Sequence, residues 1–223
     1  MSGKNKKKIL IELACYNPVN YEELQKICYL AIYHKLGSVC VPLYLVEKTK
    51  PLLIDGVKCC CLIDFPYGYS TIDIKHHAII KACRQGASII ELTINNGLII
   101  NKEFDKLHNE IKTSYELCKA NKAEFRVSVN YRDFEQSYLV DLSSALAYSG
   151  IDAIVTNTGN LPDDPLDNII TANKIEKSTG ISVIASSPFF SAKHKELIEK
   201  SSISGMRISN YNIAKDILGS DGV

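Results

Sequence analysis

Short apolar runs alternate with longer amphipathic ones along the chain. Runs rich in β-branched residues occur at Ile9 to Ala14, Ser38 to Tyr44, Lys58 to Phe65, Ser88 to Ile94, Glu124 to Asn130, Asp152 to Thr156 and Ile181 to Ser186, with a weaker one at Gly205 to Ser209. Their shortness and nearly continuous apolar character predict strands covered on both faces. Between them, apolar positions recur at helical spacing. Tyr21 to Leu36 carries Leu24, Ile27, Cys28, Ala31 and Ile32 on one side, and Asn20 with Glu23 offers a capping box. Further helices are predicted at Thr71 to Gln85, Lys102 to Asn121, Asp133 to Ser149, Leu166 to Thr179, Ser191 to Ser201 and Ile213 to Leu218. Two of these stop at a glycine, Gly150 and Gly180.

Alternating strands and helices predict a parallel sheet with right-handed crossovers. Eight such units in 223 residues fit an α/β fold of one domain, a compact (β/α)8 TIM barrel. A doubly wound open sheet is the architectural alternative, since periodicity alone does not separate the two. The expected organisation is a basic N-terminal tail over residues 1–8 and one barrel over residues 9–223. A chain of this length can bury roughly 70% of its unfolded surface without staples.

Charge and cysteine usage narrow the picture. The formal net charge of +1 argues against bulk electrostatic attraction to nucleic acid or an anionic membrane. No apolar run approaches the ~20 residues that span a bilayer. The basic stretch Lys4 to Lys8 leads into Ile9-Leu10-Ile11 and then at once Glu12, unlike a secretion signal, so a solvated tail is expected. Eight cysteines occur, none in a Cys-x-x-Cys pair. Cys59, Cys60 and Cys61 are adjacent on a strand and face alternate sides, so the three cannot converge on one metal. Reduced, mostly buried thiols in a cytoplasmic protein are expected, with no metal and no cofactor.

Four motifs in order then carry a family resemblance. They are Ser38-Val39-Cys40-Val41-Pro42, Leu62-Ile63-Asp64-Phe65-Pro66-Tyr67-Gly68, Gly86-Ala87-Ser88-Ile89-Ile90-Glu91-Leu92, and Gly150-Ile151-Asp152 running into Val155-Thr156-Asn157-Thr158-Gly159. They resemble strands two, three, four and six of the deoxyribose-phosphate aldolases, which are class I, imine-forming enzymes on a TIM barrel. The resemblance covers nearly the whole chain. It implies that the family's imine-forming lysine is replaced by Val155, and its second lysine, on strand seven, by Ile184. Glu91 then answers to the aspartate of the proton relay, Arg126 to a lysine on strand five, and Asn130 to a glutamate there. The family's phosphate-gripping glycines after strands seven and eight become Ser187-Pro188 and Ser209-Asn210-Tyr211. Gly159 is kept and is followed by Asn160.

Imine catalysis needs a lysine neutral enough to attack a carbonyl, and two aliphatic side chains cannot supply it. Proline at position 188 offers no N–H to a phosphate. The resemblance therefore implies a catalytically inactive aldolase-like protein that acts as a binding, scaffold or regulatory subunit. Its protein partner is unidentified; a homo-oligomer or association with an active paralogue is open. The alternatives are an active lyase with a relocated lysine, Lys102 or Lys106, an altered chemistry, or a sugar-phosphate sensor. Strand parity points Glu91 and Arg126 inward, with Ile89, Thr93, Ser128 and Asn130. A Glu91–Arg126 ion pair is expected, either structural or part of a remnant pocket with Asn130, Thr156, Thr158, Gly159, Asn160 and Ser187. An open polar mouth near Glu91, Arg126 and Asn160 favours a small-molecule site. A mouth plugged by Ile184, Pro188, Phe189 and Tyr211 favours a scaffold.

Overall fold

A computed structural model describes residues 8–15, 20–159 and 163–219. The expected tail, apart from Lys8, lies outside these residues, as does Asn160. Eight parallel strands close into a barrel in sequence order: β1 (Leu10–Ala14), β2 (Ser38–Pro42), β3 (Lys58–Ile63), β4 (Ile89–Thr93), β5 (Glu124–Ser128), β6 (Ala153–Val155), β7 (Ser182–Ser187) and β8 (Gly205–Ile208). Pairing of β1 with β8, Glu12 opposite Arg207, closes the ring and rules out the open sheet.

The helices around it are α1 (Tyr21–Tyr33), α2 (Leu43–Thr49), α3 (Ile72–Arg84), α4 (Asn96–Ile100), α5 (Phe104–Ala120), α6 (Gln136–Tyr148), α7 (Pro165–Thr179), α8 (Ala192–Glu199) and α9 (Tyr211–Leu218). Polar caps start several of them. Asn20 Oδ1 accepts from Glu23 N at 2.8 Å, and Asp164 Oδ1 accepts from Leu166 N at 2.8 Å. Gly180 ends α7 in the left-handed region, φ 73°.

Two helices differ from the sequence expectation. The run Ser38 to Tyr44 is a strand only to Pro42; that proline has no N–H to continue the ladder and becomes the N-cap of α2. The short α4 falls in a stretch without apolar periodicity. It is set locally by Asn95, whose Oδ1 accepts from Gly97 N at 2.9 Å.

The main core lies between strands and helices, where Ile90, Leu92, Phe125, Val127 and Val183 pack outward. The barrel interior is different. It holds two small apolar patches, one of Ala14, Cys40, Cys60, Leu62 and Ile89, the other of Ala153, Val155 and Ile184 with Leu10 packed against them. Cys60 faces in while Cys59 and Cys61 face out, as strand parity requires. Among the described residues, no helix is long and apolar enough to cross a membrane.

Candidate functional site

Charged side chains from four strands meet within the barrel: Glu12 (β1), Glu91 (β4), Arg126 (β5) and Arg207 (β8), all buried. Arg207 grips both carboxylates. Its Nη1 donates to Glu91 Oε1 at 2.8 Å, its Nη2 to Glu91 Oε2 and, at 3.0 Å, to Glu12 Oε2. Arg126 Nη1 donates to Glu12 Oε1, and its Nη2 to Glu124 Oε2 at 3.3 Å. Ser38 Oγ adds a bond to Glu12 Oε1 at 2.9 Å. Burial alone would raise the Glu12 pKa, but the Arg126 and Arg207 charges and these hydrogen bonds outweigh it and pull it down to about 2. Burial opposes the charge on both arginines, and the facing carboxylates still hold them firmly protonated.

Glu91 and Arg126 thus point inward as expected, and they are register neighbours. The expected direct pair between them is replaced: Glu91 takes Arg207 and Arg126 takes Glu12. Two members, Glu12 and Arg207, were missed as site residues. Each is a charge in the middle of an apolar strand, and the parity argument used for Glu91 finds both.

Beside this network, Val155 on β6 and Ile184 on β7 are register partners, 0% and 1% exposed. With Ala153 and Leu10 they form an apolar patch. Lys75, on α3, is the one lysine buried among the described residues. It donates to Gly68 O at 2.8 Å and Glu110 Oε1 at 2.9 Å, with Asp64 Oδ2 at 3.5 Å, so it braces the loop after β3 from the helix layer. Lys102 and Lys106 are exposed; Lys106 pairs with Glu103.

Above the quartet, a cavity of about 610 Å³ opens between the loops that follow β3, β4, β5 and β6. Thr93 and Ser128, at the ends of β4 and β5, form its floor, their hydroxyls 3.0 Å apart. Asn130 and Thr158 reach it from the next loops; each is at most 5% exposed, and Asn130 Oδ1 and Thr158 Oγ1 have no hydrogen-bond partner. Tyr67 and Tyr69 form one wall, rings stacked at 5.4 Å and 21°. At the rim Asn96 donates to Asp133, whose carboxyl burial nudges upward and the Asn96 bond pulls back. Gly68 makes the wall's turn at φ 72°; a Cβ there would lie 2.3 Å from Ile94 O.

The remnant-pocket candidates therefore divide. Asn130 and Thr158 line the cavity. Thr156 does not: next to inward Val155, it turns outward and donates to Asn168 Oδ1 of α7 at 2.6 Å. Ser187 accepts from Phe189 N at 3.1 Å and closes its own turn. Gly159 N donates to Asn157 Oδ1 at 2.7 Å. Glu91 and Arg126 are buried within the charge network and are not part of the cavity lining. The plug that would favour a scaffold is not seen at this cavity: Phe189 is exposed, and none of Ile184, Pro188, Phe189 and Tyr211 lines it. Neither Lys102 nor Lys106 lines the cavity. The tyrosines, Asn96 and Asp133 were not foreseen, because loops carry no periodicity to read.

A closed parallel barrel with a polar cavity at the C-terminal ends of its strands defines a (β/α)8 barrel with a candidate site at the usual face. Solved structures share this fold. An aldolase designated QR15 superposes with a TM-score of 0.82 at 22% identity, covering 93% of each chain. The deoxyribose phosphate aldolase from Aeropyrum pernix gives 0.79 at 19% identity, covering 93% of this chain and 87% of that one. No protein-family model matches the sequence. Over 139 residues, 62% of this chain, the sequence is 30% identical to the deoxyribose-phosphate aldolase of Treponema denticola and covers 64% of it. The aldolase of that name from Clostridium botulinum is 27% identical over the same length, with 62% of each chain covered. Over this stretch the chain is similar in sequence to proteins named deoxyribose-phosphate aldolase. The matched stretch spans less than two thirds of the length of these relatives.

Proposed function

We propose that this chain is an aldolase-derived barrel that forms no imine with sugar phosphates and serves as a binding or regulatory component. The observation that carries the reading is the apolar patch of Val155 and Ile184 at the positions where the family resemblance puts the two lysines. A nucleophile is required for covalent aldol chemistry, and a side chain of carbon alone cannot replace it. No neighbouring lysine offers itself among the described residues. Lys75 is engaged by Glu110 and the Gly68 carbonyl in the helix layer, and Lys102 and Lys106 are exposed to water. Neither of these two sits in the desolvated pocket that activates an imine-forming lysine.

In this reading the partner is a protein: a second copy of the chain, an active paralogue, or another cytoplasmic protein. The relatives named deoxyribose-phosphate aldolase supply the substrate to test. Purified protein is incubated with deoxyribose 5-phosphate, assayed for acetaldehyde release, and treated with borohydride before intact-mass measurement. The expected result is no cleavage and no mass addition. A reduced adduct on any lysine overturns the proposal and identifies the relocated nucleophile.

A further inference from the structure

The cavity above the quartet is not explained by the loss of imine chemistry. We propose that it is a binding site for an uncharged, polyhydroxylated small molecule of sugar size, an inference that rests on the non-imine reading above and adds a small-molecule ligand to it.

The first argument is unsatisfied hydrogen bonding. Asn130 Oδ1 and Thr158 Oγ1 are buried, line the cavity and lack partners. Buried polar atoms are nearly always paired, by protein, water or ligand. These two present an amide and a hydroxyl, groups that exchange hydrogen bonds with hydroxyls in either direction. The floor is similar. Thr93 and Ser128 share one hydrogen bond at 3.0 Å, so one of the two hydroxyl hydrogens is left for another acceptor. Both sit on strand ends, which hold them more rigidly than loops would.

The second argument is charge. No lysine, arginine or histidine is among the residues lining the cavity, and Asp133 stands at its rim. A phosphate or carboxylate placed here would meet a carboxylate and no compensating cation. The arginines of the barrel are saturated below by Glu12 and Glu91. A neutral ligand meets no such penalty.

The third argument is shape. The stacked rings of Tyr67 and Tyr69 offer aromatic surface with polar tips, suited to a molecule with apolar C–H faces and hydroxyl edges. Tyr69 is 69% exposed and so is open to contact. The volume lies within the usual range of ~300–1,000 Å³ for small-molecule sites. The wall is fixed in advance, because Lys75 and Gly68 pin its loop from behind.

The test is saturation-transfer NMR with D-ribose and D-glucose, each beside its phosphate ester, on wild type, Asn130→Ala and Tyr69→Ala. Tyr69→Ala alters an exposed side chain and leaves the fold intact, and circular dichroism checks both variants. The expected result is transfer to at least one neutral sugar, at least threefold weaker transfer to its ester, and loss of at least two thirds of the signal in both variants. Silence with both neutral sugars, preference for an ester, or signal unchanged in the variants overturns the inference. The borohydride assay runs in parallel. An adduct there sinks the non-imine reading, whereas silence in NMR without an adduct sinks only the ligand assignment.

Discussion

Arg207 Nε and Nη2 both donate to one oxygen of Glu12, Oε2, at 3.3 and 3.0 Å, across the seam where the last strand closes on the first. The same guanidinium spans to Glu91. One cation thus holds two buried carboxylates, and the seam of the barrel is locked by charge. Arg207→Met should leave Glu12 with Arg126 and Ser38, and should strip Glu91 of the guanidinium that pairs with it. Breaking a buried pair from one side costs about 3–5 kcal/mol. Urea denaturation should show a loss of that size. Adding Glu91→Gln to Arg207→Met should recover part of it, because the stranded charge is removed.

Acid should weaken the fold through Glu12. Its pKa is pulled from 4.5 to about 2, with burial opposing and the two arginines prevailing. The folded state therefore releases this proton more readily than the unfolded chain does. The stabilisation is complete above an unfolded pKa near 4.5 and is lost as pH falls through about 2. Such a shift contributes up to ~3 kcal/mol. Glu110 works the other way, since burial raises its pKa despite Lys75, so it recovers some stability on acidification. Urea midpoints measured from pH 6 to pH 2 should fall, and Glu12→Gln should start lower and fall less steeply.

Val155→Lys should not create an aldolase. Its ammonium would enter a patch of Ala153, Ile184 and Leu10, all apolar side chains. Desolvation lowers the pKa of a lysine in such a place. We expect a loss of roughly 3 kcal/mol or more at pH 7. The unfolded state then binds the proton more tightly than the folded one, so the deficit should shrink as pH rises toward about 10. Denaturation at pH 7 and pH 9.5, with the acetaldehyde assay alongside, checks both parts.

Two glycines in the left-handed region should respond differently to alanine. Gly180 at the end of α7 has no atom within 4 Å of a built Cβ, so Gly180→Ala meets only the backbone penalty, about 1 kcal/mol. Gly68 has a similar φ, but its Cβ would strike Ile94 O. Gly68→Ala should cost more than twice as much, roughly 2–4 kcal/mol, and shift the tyrosine wall. Melting curves rank the two. The fluorescence of the twelve tyrosines, with no tryptophan to mask them, reports the wall.

The strands were legible because burial on both faces leaves a dense apolar signature that few other elements share. Side-chain direction was legible too: from Glu91 and Arg126, parity correctly sent Ile89 and Thr93 inward and Phe125, Val127 and Val129 outward. Partner choice was not. Parity and register identify neighbours along and beside a strand, whereas Arg207 selects Glu91 from across the barrel, and a pattern read along one chain carries no term for that distance. The weakness of β8 as a sequence signal hid Arg207 further, and Glu12, in the middle of β1, was passed over as a break in an apolar run. Of the mouth, Asn130 and Thr158 came from motif positions. Tyr67, Asn96 and Asp133 depend on how four loops fold over one another, which no local spacing encodes.

The quartet of two carboxylates and two guanidiniums is self-neutralising, and that has a consequence for change. Mutations in the loops above neither add to nor subtract from the balance inside. The chain offers a chassis whose rim can be rebuilt residue by residue, by evolution or by an engineer, without retitrating the axis on which the strands close.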